Sequence, residues 1–201
     1  MLTLYHCPQT RASGVVGLLK ELQALDQVTI KQVCVKQMDG TGAPDPNNPH
    51  PEGKVPLLIH DGVEIWETGA IMIYLADLFA DAGLNIPQGH RLRGKYLSWI
   101  VWYCSVIEPV TVISMAQLSH PLIDSTFRGN AEINTRLVAT LSQHAFLLGD
   151  TFTAADMLLS GIYGWMGKPG IPEIDAWVDR CQARPGPQYA LEYDAKLMAN
   201  S

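Results

Sequence analysis

The apolar residues of this chain change their period near residue 80, and that change divides the sequence into two kinds of structure. Residues 2 to 6 form a short β-prone run, and Val15, Val16, Leu18, Leu19 and Leu22 then recur at helical spacing between Thr10 and Leu25. Val28-Thr-Ile-Lys-Gln-Val-Cys-Val is β-branched with partial alternation, which predicts a second strand joined to the first by a helical crossover. Val55-Pro-Leu-Leu-Ile-His, the pair Asp61-Gly62 and Val63-Glu-Ile-Trp predict a hairpin, because Asp-Gly readily takes the positive φ angles of a type I′ turn. From Thr68 to Phe79, Ile71, Leu75 and Leu78 share one helix face that can cover the hairpin. The expected order is therefore βαβ then ββα, a mixed four-stranded sheet over residues 1–80.

Two segments break this pattern. Residues 39–53 are so dense in Gly, Pro, Asn and Asp that a long surface loop is expected, either functional or a plain connection. Residues 81–89 have linker composition, and beyond them β-like alternation nearly vanishes, so residues 90–201 are expected to form an all-helical bundle domain. Within it, Thr153 can cap a helix while Asp156 reaches back to it, with Phe152 and Met157 as the hydrophobic staple.

Composition removes several functional classes. With 47% apolar and 17% charged residues the 201-residue chain can bury a proper core, as one large domain or two small ones. A net charge of −6 with scattered Lys and Arg leaves no basic stripe for a phosphate backbone, so nucleic acid is not an expected partner. Cysteines 7, 34, 104 and 181 have neither disulfide-framework nor metal-ligand spacing, and the six histidines show no His-Glu-x-x-His pattern, so no metal is expected. A reducing cytoplasm fits this cysteine usage. The N-terminus goes straight into Leu2-Thr3-Leu4-Tyr5, and no apolar run approaches the ~18 residues of a membrane span, so neither a secretory signal nor a membrane partner is expected.

The order of elements, together with Asn48-Pro-His-Pro-Glu-Gly-Lys-Val-Pro-Leu-Leu, Trp66-Glu-Thr-Gly-Ala-Ile, Leu148-Gly-Asp-Thr-Phe-Thr-Ala-Ala-Asp and the tail near Arg184-Pro185, resembles the soluble glutathione transferases of bacterial type over nearly the whole chain. The resemblance implies a thioredoxin-like N-terminal domain and an all-α C-terminal domain, a homodimer, and glutathione as co-substrate. It implies a cis bond before Pro56, so that the backbone of Val55 pairs with the cysteinyl unit of glutathione as an added strand. It also implies that Thr68 holds the γ-glutamyl carboxylate at a helix start, where free N–H groups favour an anion, and that Glu67 pairs with the γ-glutamyl ammonium. Without the resemblance, Val55-Pro56 reads as a trans edge-strand start and Thr68 as a simple helix cap. Lys54 is a candidate for the glycyl carboxylate, as are Lys36 and Gln37 at the expected end of the second strand, although a solvated loop lysine has the same sequence signature.

Such chemistry needs the glutathione sulfur as thiolate, whereas a free thiol of pKa ~8.5 is only about 3% ionised at pH 7. Lowering that pKa by two units requires about 2.7 kcal/mol, within reach of one hydroxyl donor plus a helix N-terminus. Two alignments compete in Tyr5-His-Cys-Pro-Gln-Thr-Arg-Ala-Ser. In the preferred one, Thr10 donates its hydroxyl to the sulfur and the N–H of Arg11 assists, with Ser13 and Tyr5 as further choices. In the other, Cys7-Pro-Gln-Thr resembles a glutaredoxin-type site, and Cys7 forms a mixed disulfide with glutathione. Cys7 can equally be a small apolar spacer at a strand end.

The resemblance places a hydrophobic electrophile against the first long helix of the second domain, where Trp99, Trp102, Tyr103 and Val106 offer aromatic and apolar surface. Tyr103, Glu108 and Trp165 are the pocket residues selected, with at least half of this surface expected to serve helix packing or dimer contacts. The function expected is conjugation of glutathione to a small hydrophobic electrophile. A thiol-disulfide oxidoreductase using Cys7 and a non-catalytic binding protein on the same fold are the alternatives.

Overall fold

A computed structural model describes residues 1–199 of the chain. The chain packs as two compact units. One comprises Met1–Gly83 and the C-terminal segment from Arg184, and the other is Leu84–Ala183.

In the first unit the strands β1 (Leu2–His6), β2 (Val28–Gln32), β3 (Leu57–His60) and β4 (Val63–Trp66) form one sheet in the order β2-β1-β3-β4. β1 runs parallel to β2 and antiparallel to β3, as βαβ followed by a hairpin requires. Leu57 and Leu58 are consecutive and both fully buried, so the start of β3 is covered on both faces, while Ile59 and His60 are half-buried. The hairpin turn has φ of 49° at Asp61 and 84° at Gly62, the double positive φ of the expected turn. β2 ends at Gln32, earlier than the β-branched run suggests. Val33 still donates its N–H to the His6 carbonyl at 2.9 Å, but the chain then turns into the loop, which has no helix or strand from 33 to 56.

Helices α1 (Arg11–Glu21) and α2 (Thr68–Leu78) supply Val15, Val16, Leu18, Leu19, Ile71, Met72 and Leu75 to the core, all fully buried. The final helix, α10 (Pro185–Ala199), lies along α1 in this same unit. Residues from Arg184 onward thus pack with the sheet unit, and the expectation of one helical domain over 90–201 is corrected there. The helices approach so closely that a Cβ on Gly186 would fall 2.6 Å from the Gly17 carbonyl oxygen. Glu21 secures the contact, accepting from Arg184 Nη2 at 2.6 Å and from the Gly186 N–H at 2.9 Å.

The second unit is helical: α3 (Arg93–Trp102), α4 (Glu108–Met115), α5 (Pro121–Thr126), α6 (Asn130–Leu141), α7 (Ala154–Gly161), α8 (Tyr163–Met166) and α9 (Pro172–Gln182). A π-helical segment, Tyr103–Ile107, joins α3 to α4, with the Glu108 N–H bonded five residues back to the Tyr103 carbonyl. Pro109 follows at once and cannot donate to the Ser105 carbonyl, so the widened turn falls where the α ladder is already broken. The continuous helix Arg93–Met115 is 23 residues long, with mean hydropathy 1.4 over its most apolar 18-residue window. Length and composition alone would let it cross a membrane. A core helix meets the same criterion.

At the start of α7, Thr153 and Asp156 form the expected capping box. The fully buried Asp156 carboxyl also accepts the Leu147 N–H at 2.8 Å and Trp177 Nε1–H at 3.1 Å, and so ties three segments of the unit together. Burial pushes this carboxyl above its ordinary value, and the hydrogen bonds oppose the shift. Asp156→Ala is expected to leave at least two buried donors unmatched at about 1–3 kcal/mol each, lowering the thermal midpoint by on the order of 10 °C in a calorimetric scan.

Candidate functional site

Three chain segments meet at one end of the sheet because of strand register. Tyr5 pairs with Leu57 and Leu57 with Trp66, so the end of β1, the start of β3 and the end of β4 lie side by side. Residues 7–11, 54–56 and 67–68, which hold Cys7, Thr10, Arg11, Lys54, Val55, Pro56, Glu67 and Thr68, extend from those three ends.

The β1–α1 connection is the tight sequence Cys7-Pro8-Gln9-Thr10. Pro8 in the second position and Gln9 at φ 56° in the third have the pattern of a type II turn, in which the third residue is usually Gly or Asn. Thr10 caps α1, its Oγ accepting the Ala12 N–H at 3.2 Å and donating to the Cys7 carbonyl at 2.6 Å. Its single proton is thus committed to Cys7, and donation to a ligand sulfur requires the hydroxyl to turn, giving up a bond worth about 0.5–1.5 kcal/mol. Arg11 is exposed at the first position of α1. Tyr5 stays within β1, half-buried, with Lys31 Nζ 5.7 Å from its ring centroid.

Cys7 is 8% exposed. Its sulfur receives Gln37 Nε2 at 3.4 Å, so Gln37, a sequence candidate for the glycyl carboxylate, is turned toward this thiol instead. Burial pushes the Cys7 thiol above its ordinary value, while bonds from Val35 and Gln37 only partly offset it. A thiol held neutral is a poor nucleophile.

The Val55–Pro56 bond is cis, as the resemblance implies. Just before it, Asn48 Nδ2 donates to the Lys54 carbonyl at 3.0 Å, which fixes the loop against the start of β3. Lys54 Nζ pairs with Glu52. That partner raises the Lys54 pKa, Glu67 adds to the rise and Arg11 opposes it, so these charges share one region of the surface.

At α2 the cap position is Glu67 rather than Thr68, which corrects the reading of Thr68 as a cap. Glu67 has φ 70° and ψ 121° and makes no side-chain cap bond, and Thr68 is the buried first residue of the helix. The N–H groups of Thr68, Gly69 and Ala70 have no intrahelical acceptor and lie where the helix dipole favours negative charge. A left-handed non-glycine residue costs of order 1–3 kcal/mol and marks a place where geometry outweighs stability.

The remaining candidates lie in the second unit. Tyr103 is buried in the π-helical segment, Glu108 is half-buried at the start of α4, and Trp165 is 45% exposed on α8. None of them lines the concavity of about 280 Å³ between α3 and α6, which is bounded by Lys95, Ser98, Trp99, Trp102, Arg136 and Thr140. Trp99 and Trp102 meet edge to face there, with the Arg136 guanidinium 4.7 Å from the Trp102 ring centroid.

The sequence pattern gives no sign of Asp194 on α10, which the structure brings to the same place. Its Oδ2 accepts the Gln9 N–H at 2.7 Å and Ser13 Oγ–H at 2.6 Å, while His6 Nε2 lies 2.9 Å from Oδ1, close but not aligned as a full hydrogen bond. Nothing in the periodicity of the C-terminal segment distinguishes this carboxylate from a solvated helix residue.

Comparison with known proteins identifies the family to which this fold belongs. Residues 1–77 match the family "Glutathione S-transferase, N-terminal domain", and residues 100–185 match "Glutathione S-transferase, C-terminal domain". The chain belongs to the glutathione S-transferase family. Glutathione S-transferase GST-4.5 of Xanthomonas campestris pv. campestris is 27% identical over 185 residues, covering 86% of this chain and 85% of that protein. A glutathione transferase structure from Methylococcus capsulatus superposes with a TM-score of 0.76 at 26% identity, covering 97% of this chain and 99% of the other. A sphingomonad glutathione S-transferase complexed with glutathione gives 0.74 at 25% identity, covering 96% and 98%.

The state of Cys7 yields a direct expectation. At neutral pH, iodoacetamide followed by mass spectrometry should label the exposed Cys34 well before the buried Cys7, and Cys7 labelling should accelerate only as pH rises above the ordinary thiol range. Faster labelling of Cys7 at pH 7 would contradict the assignment of a neutral thiol.

Proposed function

We propose that the protein binds glutathione at this end of the sheet, ionises its thiol and conjugates it to a small hydrophobic electrophile. The observation that carries the proposal is that one strand register sets the Val55–Pro56 strand start beside an uncapped helix N-terminus entered through Glu67 at positive φ. A tripeptide with a carboxylate at each end matches these groups. Its cysteinyl backbone adds to the Val55 main chain as a short strand. Its γ-glutamyl carboxylate takes the N–H and hydroxyl of Thr68, and Glu67 takes the ammonium. Lys54 exchanges Glu52 for the glycyl carboxylate, a small change for an exposed pair.

The cysteinyl sulfur then faces the β1–α1 turn, where Thr10 Oγ–H and the first N–H groups of α1 stabilise it as an anion. The thiol proton passes to solvent. The thiolate forms a carbon–sulfur bond as the bond from that carbon to its leaving group breaks, and the leaving group departs with the electron pair. Aromatic surface of the second unit, with Tyr103, Glu108 and Trp165 as the proposed residues, receives the electrophile. The buried, neutral thiol of Cys7 weighs against the oxidoreductase alternative.

Glutathione added to the pure protein should produce an ultraviolet thiolate band that titrates about two units below the free thiol, and S-methylglutathione should bind without it. Binding without the band would refute thiolate activation, and absence of binding would refute the site. Thr10→Val should weaken the band strongly, whereas Thr10→Ser should keep it.

We also propose a cytoplasmic homodimer. Sedimentation equilibrium at micromolar concentration should give about twice the chain mass of 22.1 kDa, and a monomer would overturn it.

A further inference from the structure

Gln9 occupies the turn position that normally needs glycine or asparagine, immediately before the residue proposed to contact the glutathione sulfur. Something must hold it there, because a left-handed glutamine is unfavourable alone. The side chain that receives its N–H is Asp194, 185 residues away. The same carboxylate oxygen takes the Ser13 hydroxyl from the first turn of α1, and its other oxygen faces His6 at the end of β1. One carboxylate therefore spans the strand end, the turn and the helix start, and Thr10 lies in the middle of the segment it grips.

The clamp is built into the fold. Asp194 is 6% exposed and His6 fully buried. Burial works against the Asp194 charge, but the nearby His6 imidazole and the bonds from Ser13 and the Gln9 N–H outweigh it and hold the carboxyl below its ordinary value. Its contribution is thus present above the ordinary carboxylate pKa and is lost as pH falls through the lowered one. α10 is in turn anchored by Glu21 with Arg184 and by the close Gly17–Gly186 approach, and Lys20 stacks on Tyr189 between them. Docking of the last helix is therefore coupled to the geometry of the turn.

We propose that Asp194 is a positioning residue for the thiolate step: it imposes the left-handed turn at Gln9 and so fixes Thr10 and the start of α1 where the hydroxyl, once turned from the Cys7 carbonyl, reaches the glutathione sulfur. The proposal rests on the glutathione site described above. It does not make Asp194 a ligand contact, so binding and ionisation of glutathione should respond to it differently.

The test compares wild type, Asp194→Asn, and Asp194→Asn with Gln9→Gly, measuring the thiolate band of bound glutathione against pH and the Kd for S-methylglutathione. In Asp194→Asn the thiolate fraction at pH 7 should fall about tenfold, the scale of one misdirected hydrogen bond to a charged group, while the Kd for S-methylglutathione changes by less than about threefold. Adding Gln9→Gly should restore most of the band, since glycine takes positive φ without assistance. If Asp194→Asn does not fold, Ser13→Ala removes one donor and keeps the carboxylate, with an expected fall of about threefold. An unchanged band would overturn the proposal. So would a band that falls in step with S-methylglutathione affinity and does not recover with Gln9→Gly, because Asp194 would then serve only to dock α10. A wild-type protein that binds S-methylglutathione but shows no thiolate band would overturn the thiolate reading and this proposal with it.

Discussion

The antiparallel pairing of β1 with β3 is the constraint on which the rest of the first unit depends. Leu4 opposite Leu58 and Tyr5 opposite Leu57 set the register, and Leu4, Leu57 and Leu58 are fully buried. A slip of one residue would exchange the faces to which Leu57 and Leu58 point and disrupt the packing on both. The same register carries Pro56 to the end of β1 and, through Leu57 and Trp66, brings Glu67 and Thr68 alongside. The candidate site is a consequence of core packing: the strands need only bury their leucines correctly for three loops to converge.

At that end the backbone departs from its ordinary preferences. Gln9 and Glu67 both have positive φ at the entry to a helix, Glu67 as the cap itself and Gln9 just before the cap Thr10. The two positions are held by different means. Gln9 is clamped from outside by a carboxylate on α10, whereas at Glu67 no side-chain bond compensates and the uncapped N–H groups remain available to an anion. Strain with a protein partner suits a group that must be aimed beforehand, and strain beside unfilled donors suits a group that a ligand completes.

Buried carboxylates play the organising role in both units, and their surroundings differ. Asp156 acts within the helical unit, closing a capping box and accepting from Leu147 and Trp177. Asp194 acts across the first unit, joining the last helix to the first strand and helix. Burial dominates for Asp156, whose carboxyl is pushed up, while for Asp194 the donors dominate and the carboxyl is pulled down. The number of donors alone does not set the outcome; the completeness of burial counts as well.

Elements governed by neighbours in sequence could be read from the residues. The hairpin turn at Asp61-Gly62 follows from its own φ preferences, the capping box at Thr153 and Asp156 from a three-residue spacing, and the two-part division from periodicity. The convergence of Val55, Glu67 and Thr68 was legible only through resemblance to a family, since a Val-Pro pair or a Glu-Thr pair is common. Features that depend on distant partners lay outside the reach of pattern. Gln37 turns to the Cys7 thiol, 30 residues back, and Arg184 onward returns to the first helix. Asp194 reaches the turn from 185 residues away. Local spacing determines which segments become strands, helices and turns because those choices are settled within a few residues. Only the tertiary structure decides which amide covers a thiol or which carboxylate grips a turn, because those depend on atoms that packing alone brings together.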